Sequence, residues 1–322
     1  MAEDTILRKS ISLEDLTPLL TQAQDINYWR SLNPNLTISD NPFADFQDSS
    51  DISKKRLNDY TLQLREEGYF QTNQLIPSAT IQEMNECINQ VRKAGFPPIF
   101  ALVYDVFYQV FDYFNPILEG VLGSGYKLIP NFWVYYIDTV DTGKGFEPHR
   151  DAEYTNTIDA NGMPTVLTIW ITITDANPLN SCMYILPLNR DPQYAEAITD
   201  LSTPANQFAL EDVRALPTKA GVLSCWNQYV FHWGSRSSKR AEEPRISYAA
   251  YCQKGESLPI DDVMINIPSS IDFKTRLGLI ARGLYRYSYA SFEESKEAEP
   301  VLHFLKQQMA NLEKGVAIGI KQ

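Results

Sequence analysis

The sequence is poor in the residues that cross-link chains or bind soft metals: its 322 residues include four cysteines and three histidines. The cysteines, Cys87, Cys182, Cys225 and Cys252, are scattered and none belongs to a CxxC pair. That excludes a disulfide framework or a cysteine zinc site as the basis of the fold and leaves reduced thiols as the expectation. No apolar run approaches the length of a membrane span. The opening stretch MAEDTILRKSISLEDL has no basic region leading into an apolar one, so a cytoplasmic protein is expected. Basic residues are also in the minority, and a formal charge of -12 disfavours a partner that is held through its phosphate backbone. The expected partner is a small molecule, with no nucleic acid and no membrane; the oligomeric state is left open.

Internal repeats, low-complexity tracts and long linkers are absent as well, which favours one domain over residues 1–322. Its texture changes twice. Residues 1–125 are mostly helical, beginning with the amphipathic SLEDLTPLLTQAQDINYW, an arm expected to pack on the main body. In SATIQEMNECINQVRKAG, Thr80 and Glu83 form a possible capping box, Ile81, Met84, Ile88 and Val91 an apolar stripe, and Gly95 a C-terminal glycine. Phe100, Tyr104, Phe107, Phe111 and Phe114 follow at helical spacing and read as a core stripe packed on a sheet. Residues 126–253 switch to short apolar or alternating runs between turn residues, the pattern of a barrel or jelly roll. Residues 254–322 turn helical again.

The strand-rich middle contains GFEPHRDAEYTN, residues 145–156. His-Arg-Asp with an asparagine five residues after the aspartate is the catalytic-loop spacing of protein kinases, but the Gly-rich loop, strand lysine and DFG that a kinase needs are all missing. The alternative is a metal site. In a strand, residues i and i+2 project from one face, so His149 and Asp151 can share a metal ion while Arg150 points away. The third ligand must be another histidine: His303 lies in a terminal helix, whereas His232 ends a β-like run, NQYVFHWGS. Two histidines and a carboxylate leave positions open for a co-substrate and dioxygen on iron, although zinc hydrolases use the same donors. Arg245 and Ser247, thirteen and fifteen residues after His232, share a strand face and could clamp a carboxylate.

With these residues in place, the stretch from LREEGYF to YAAYCQ resembles the phytanoyl-CoA dioxygenase superfamily of Fe(II)/2-oxoglutarate oxygenases. EPHRD, LTIWITITDANPLNSCMYILPLNRD, AGVLSCWNQYVFHWGS and RIS carry the likeness. The resemblance implies a mainly β core, a double-stranded β-helix (jelly-roll, cupin-like) with flanking helices at both ends. It implies Fe(II) on His149, Asp151 and His232, and 2-oxoglutarate on Arg245 and Ser247, with Trp170 and Tyr135 lining the co-substrate pocket. It also implies O2 as oxidant and hydroxylation of a small metabolite as the reaction, with desaturation, ring closure or epimerisation as other outcomes of the same chemistry. Asp151 argues against a halogenase, which resembles a site with a small residue there. The sequence departs from the family where PLNRD stands for PGSH and where WGSRSSKRAEEP follows His232, the places where specificity loops begin.

Glu153, Tyr154 and Asn156 are near enough to the triad to reach substrate. The expected cover of the pocket is the N-terminal arm, the aromatic segment and TNTIDANGMPT, read as a hairpin or lid. Arg282 and Arg286, one helical turn apart, read as a solvated face, with an anion site as the other possibility. A catalytically silent metal-binding barrel and a zinc-dependent hydrolase or isomerase of cupin-like fold remain as alternative functions.

Overall fold

The computed structural model describes residues 13–44, 52–141, 143–155, 157–204, 206–267, 269–292 and 298–319; Asn156 lies outside them. The N-terminal region starts with a 3-10 segment, Leu13–Leu19, and two short helices, α1 (Leu20–Ala23) and α2 (Ile26–Leu32). Trp29 of α2 is fully buried against Phe96 and Phe100, which anchors this arm to the body. Helix α3 (Lys54–Glu67) is capped by Ser53, whose hydroxyl accepts the Arg56 amide, and ends at Gly68 in the left-handed region. Strand β1 (Tyr69–Gln74) and helix α4 (Ser78–Lys93) follow.

The expected stripe of α4, Ile81, Met84, Ile88 and Val91, is buried, and Gly95 closes the helix with φ +88°. The capping box does not form. The helix begins at Ser78, so Thr80 already lies inside its first turn and its hydroxyl meets the Tyr113 hydroxyl at 3.3 Å instead. The aromatic segment also departs from a single helix: it is a 3-10 turn (Pro98–Val103), α5 (Val106–Gln109), another 3-10 turn (Val110–Phe114) and α6 (Asn115–Leu122). The break falls at Tyr104 and Asp105, where the buried carboxylate of Asp105 accepts the Ser39 amide and pairs with Arg276 at 2.7 Å. All five stripe aromatics are nonetheless buried, and Phe107 and Phe111 meet Tyr248 edge-on, so the stripe packs on a sheet as expected.

The rest of the chain runs β2 (Lys127–Ile137), β3 (Val166–Thr172), β4 (Met183–Leu186), α7 (Tyr194–Ala197), β5 (Arg214–Leu216), β6 (Val222–Asn227), β7 (Phe231–Gly234), β8 (Arg245–Gln253), β9 (Ile265–Asn266), α8 (Phe273–Phe292) and α9 (Glu299–Gly319). Two antiparallel sheets result, a six-stranded one in the order β1-β6-β3-β8-β2-β9 and a three-stranded one in the order β5-β4-β7. Helix outweighs strand, 40% against 22%, so the mainly β expectation holds for the centre of the fold and not for the chain.

Every residue of β3 and β8 is buried, because the larger sheet is covered on both faces. Outward-facing Leu167, Ile169, Ile171, Ile246, Tyr248 and Ala250 join the helices in one core. Inward-facing Trp170, Trp226 and Ala249 pack with Cys182, Met183 and Ile185 of the smaller sheet in another. The alternation of β8 is therefore legible only in polarity: Arg245 and Ser247 turn to the space between the sheets.

Candidate metal centre

The segment 145–149 lies along β7 without becoming a strand. His149 and His232 exchange both backbone hydrogen bonds, at 3.0 Å each, and the Gly234 amide donates to the Phe146 carbonyl at 3.1 Å. The Gly234 amide reaches the Phe146 carbonyl where a regular ladder would use that of Glu147, and isolated bridges form in place of the expected strand. The close approach depends on two glycines: a Cβ on Gly145 would stand 2.5 Å from the Gly234 Cα. His149 and His232 are thereby held side by side, with ring centroids 4.4 Å apart and ring planes inclined at 49°.

Each imidazole is oriented from behind. His149 Nδ1 is 2.6 Å from the Glu147 carbonyl, and His232 Nδ1 is 3.0 Å from the Val230 carbonyl. A carbonyl can only accept, so Nδ1 of each ring carries the proton and Nε2 offers its lone pair forward. Asp151 completes the group, with Oδ1 3.3 Å from His149 Nε2 and Oδ2 3.6 Å from His232 Nε2. Its Oδ2 also accepts from the Thr168 hydroxyl at 2.7 Å and the Trp226 indole N–H at 2.8 Å. Among the described residues this is the one group of three His, Cys, Asp or Glu whose donor atoms converge, all within 4.8 Å. His303 is an exposed residue of α9, as expected for a histidine with no metal role.

The electrostatics suit a cation. Burial alone would raise the Asp151 carboxyl, yet the two imidazoles and the Thr168 hydroxyl hold it well below the usual carboxylate range. Burial pushes His232 down to about 4, so it is neutral and available as a ligand. Desolvation also acts to lower His149, but the hydrogen bond and charge of Asp151 outweigh it and raise its pKa. Two neutralisable nitrogens and one carboxylate, open to a cavity on one side, fit an octahedral ion that keeps free positions.

That cavity occupies about 820 Å³, its open mouth included. Arg245 forms its far end. The guanidinium is 1% exposed, donates from Nη1 to Ser247 Oγ at 3.0 Å, and lies 5.5 Å from the Trp170 ring and 5.4 Å from the Tyr135 ring. Its Nε has no hydrogen-bond partner, and it makes no ion pair among the described residues. Burial brings it down to about 10, which leaves it charged at neutral pH. A buried guanidinium without a counter-ion is costly unless an anion completes it.

The sequence thus brings His149, Asp151, His232, Arg245, Ser247, Trp170 and Tyr135 to one place. Glu153 lines the same cavity and pairs with Arg286, while Arg282 pairs with Asp261, so both helix arginines have carboxylate partners and neither is simply a solvated face. Tyr154 is not on the lining; its carbonyl accepts from the Tyr229 hydroxyl. Arg150 turns out of the triad to Asp191 at 2.6 Å and the Tyr229 carbonyl at 2.5 Å.

The cover differs from expectation. Among the described residues, neither the N-terminal arm nor the aromatic segment lines the cavity: the aromatic segment packs on the outer face of the larger sheet, and Trp29 of the arm packs in turn on Phe96 and Phe100. Residues 157–165 do close as a hairpin, through the Ile158–Pro164 bridge, but none of them lines the cavity. The wall is instead completed by Tyr287 of α8, whose hydroxyl donates to Asn131 Oδ1 at 3.0 Å. Asn131 follows Pro130 in a bulged part of β2, where the register advances four residues on β2 against two on β8. The bulge is foreshadowed by the proline; Tyr287 has no comparable signal.

Residues 101–241 match the family model described as Phytanoyl-CoA dioxygenase (PhyH). No curated protein matches the chain in sequence. Similar solved structures include the epimerase SnoN in complex with Fe3+, alpha ketoglutarate and nogalamycin RO, at 16% identity and TM-score 0.49, covering 68% of this chain and 97% of that one. The non-heme alpha ketoglutarate dependent carbocyclase SnoK from nogalamycin biosynthesis shares 14% identity at TM-score 0.48, over 67% and 97% of the two chains. HygX from Streptomyces hygroscopicus, with nickel and 2-oxoglutarate bound, shares 11% at TM-score 0.45, over 64% and 88%.

Proposed function

We propose that this chain, whose residues 101–241 match the phytanoyl-CoA dioxygenase family model, is a non-haem Fe(II)/2-oxoglutarate-dependent oxygenase that hydroxylates an unactivated C–H bond of a small metabolite. The observation that carries the reading is the pairing of two incomplete sites in one cavity. A converging N, N, O donor set opens at one end, and a buried guanidinium without a carboxylate partner sits at the other. 2-Oxoglutarate has the two ends that such a cavity would take, a keto acid for the metal and a distal carboxylate for Arg245.

In this reading His149, Asp151 and His232 hold the iron, and Arg245 with Ser247 receives the distal carboxylate by charge-assisted hydrogen bonds. When bound, iron and 2-oxoglutarate supply the oxidation: one oxygen atom of O2 ends in succinate, with loss of CO2, and the other in the substrate. The protein's own contribution is placement and exclusion of water. Thr168 and Trp226 fix Asp151, the backbone carbonyls behind both imidazoles fix their tautomers, and Trp170 and Tyr135 shield the Arg245 carboxylate site. The substrate would enter beside His149, where Glu153 lines the cavity.

The two sheets are read as the halves of a double-stranded β-helix, with β5-β4-β7 as the smaller half. The helical regions act with it as one domain, since Tyr287 of α8 contributes to the wall of the same cavity. The test is anaerobic addition of Fe(II) and 2-oxoglutarate to metal-free protein, followed by its visible charge-transfer band. The band is expected in the native protein and weakened in both Asp151→Ala and Arg245→Ala. A folded protein that gives no band, and binds zinc instead, would transfer the cavity to a metal hydrolase or a silent barrel.

A further inference from the structure

One charged residue of the cavity wall has no part in holding iron or 2-oxoglutarate. Of the charged lining residues described, Asp151 is a ligand, Arg245 faces the co-substrate end and Arg150 is paired with Asp191, which leaves Glu153. Its Cα lies within about 7 Å of that of Asp151, the most that two residues of chain can span. The Glu153 carboxylate pairs with Arg286 of α8, and the Arg286 guanidinium is 5.7 Å from the ring of Tyr287, which lines the same cavity. On its other side Arg286 borders a cleft of about 850 Å³ between α8 and α9, together with Arg282, Met309 and Leu312. The ion pair is therefore the partition between the iron cavity and that cleft.

From this partition we propose that the substrate is an α-amino acid with an apolar side chain, whose ammonium takes Glu153 and whose carboxylate takes Arg286. The proposal deepens the oxygenase reading and rests on it for the word substrate; the binding site itself does not. Glu153 is 38% and Arg286 27% exposed, and ion pairs at such exposure are weakly held and readily opened. A ligand with a single charge that opens the pair satisfies one partner and strands the other, whereas a zwitterion gives each a new partner. The two side chains are in direct contact, so the two charges of the ligand must lie close together, as they do on one α-carbon. The rest of the loaded cavity favours no net charge either: Fe(II), 2-oxoglutarate, Asp151 and Arg245 cancel formally, and Arg150 is balanced by Asp191.

The apolar side chain follows from what lies between the pair and the metal ligands. The Tyr287 ring is 4.6 Å from that of Trp133 and 5.9 Å from that of Phe146, which in turn is 5.6 Å from the His149 ring. A side chain that leaves the α-carbon toward the iron runs along these rings, and its burial there supplies affinity that exchange between exposed charges does not. Arg282, one helical turn away, is no rival for the carboxylate. Its partner Asp261 is only 7% exposed, so drawing Arg282 off would strand a buried charge.

The experiment is calorimetric titration with L-leucine, L-methionine and L-phenylalanine of protein loaded anaerobically with Fe(II) and 2-oxoglutarate, the charge-transfer band reporting the loading. The tightest of the three is then compared with its N-acetyl derivative, its methyl ester and the doubly blocked N-acetyl methyl ester. At least one amino acid is expected to bind, and each single block to weaken it by about tenfold or more. Glu153→Gln should weaken the amino acid by a similar factor and the N-acetyl derivative by less than about twofold; Arg286→Gln should do the same for the amino acid and the methyl ester. The band should persist in both variants, which separates loss of the site from loss of the fold. No binding by any of the three amino acids, equal affinity for the doubly blocked compound, or variants that weaken free and blocked ligands alike would each overturn the proposal. Binding with this pairing by a protein that never develops the band would uphold the amino-acid site while removing the oxygenase reading.

Discussion

Thr168 Oγ1 stands 2.7 Å from Asp151 Oδ2, and the two residues meet because β3 passes directly beneath the irregular segment that carries the aspartate. Asp151 has no strand of its own to hold it. Its direction is fixed by this hydroxyl and by the Trp226 indole N–H, both from the inner face of the larger sheet. The carboxylate ligand is thus supplied by irregular backbone and aimed by fully paired strands.

Thr168→Val keeps the volume and the β-branching of the side chain and removes one of two donors to the carboxylate. Metal affinity should fall by about tenfold, at the lower end of what loss of a supporting hydrogen bond usually costs. Titration with Ni(II) as a redox-silent substitute measures it, and an unchanged affinity would show that Trp226 alone suffices.

Gly145→Ala tests the backbone contact behind His149. The new methyl would meet the Gly234 Cα at 2.5 Å, closer than any relaxed contact, so the segment 144–149 must move off β7. The segment is not part of a regular strand, and the damage should be local: weaker Ni(II) binding with a melting temperature lowered by only a few degrees. A collapse in stability with native metal affinity would contradict this account.

Arg245→Met leaves the cavity apolar at its far end. Truncating one partner of a buried, hydrogen-bonded charge pair costs about 2–5 kcal/mol, so affinity for 2-oxoglutarate should drop by roughly thirtyfold or more. Ni(II) affinity should hold, because Arg245 touches none of the three ligands. Without its own unpaired charge the metal-free protein is expected to be no less stable than the native one, and thermal melting with and without 2-oxoglutarate separates the two effects.

Much of this site is legible in the sequence because its chemistry is carried by rare residue types. With three histidines in the chain, a His-x-Asp and a histidine ending a late β-like run leave few ways to build a metal site. Arg245 and Ser247 are legible for a different reason: two polar residues alternate with Ile246 and Tyr248 in an otherwise apolar strand, and period two puts them on one face. The cavity wall is another matter. Asn131 and Tyr287 meet across 156 residues, through the docking of α8 on β2, and no local periodicity reports which face of a helix will cover an opening. The aromatic segment misleads in the opposite way: its spacing fits one helix, and the buried charge of Asp105 makes a break that propensity does not reveal.

That buried charge has its own measurable consequence. Asp105 and Arg276 are both almost fully buried and 2.7 Å apart, and Arg276 also donates to the carbonyls of Ser39, Val103 and Ile271. The pair ties the N-terminal arm and the aromatic segment to α8, the helix that completes the cavity. Burial alone would raise the Asp105 carboxyl, but the Thr37 hydroxyl, the Arg276 charge and the Ser39 amide more than offset it and leave its pKa lowered. A carboxylate depressed on folding contributes stability that is present above its unfolded pKa, about 3.9, and lost as pH falls through the lower folded value. Asp105→Asn should therefore destabilise the protein by about 3–5 kcal/mol at neutral pH, the usual result of stranding one buried charge. The difference between native and variant, followed by urea unfolding, should stay level from neutral pH to about 5 and narrow below about 4. A difference that is small at neutral pH, or that does not narrow in acid, would mean that the three remaining acceptors around Arg276 hold the helix in place without the carboxylate.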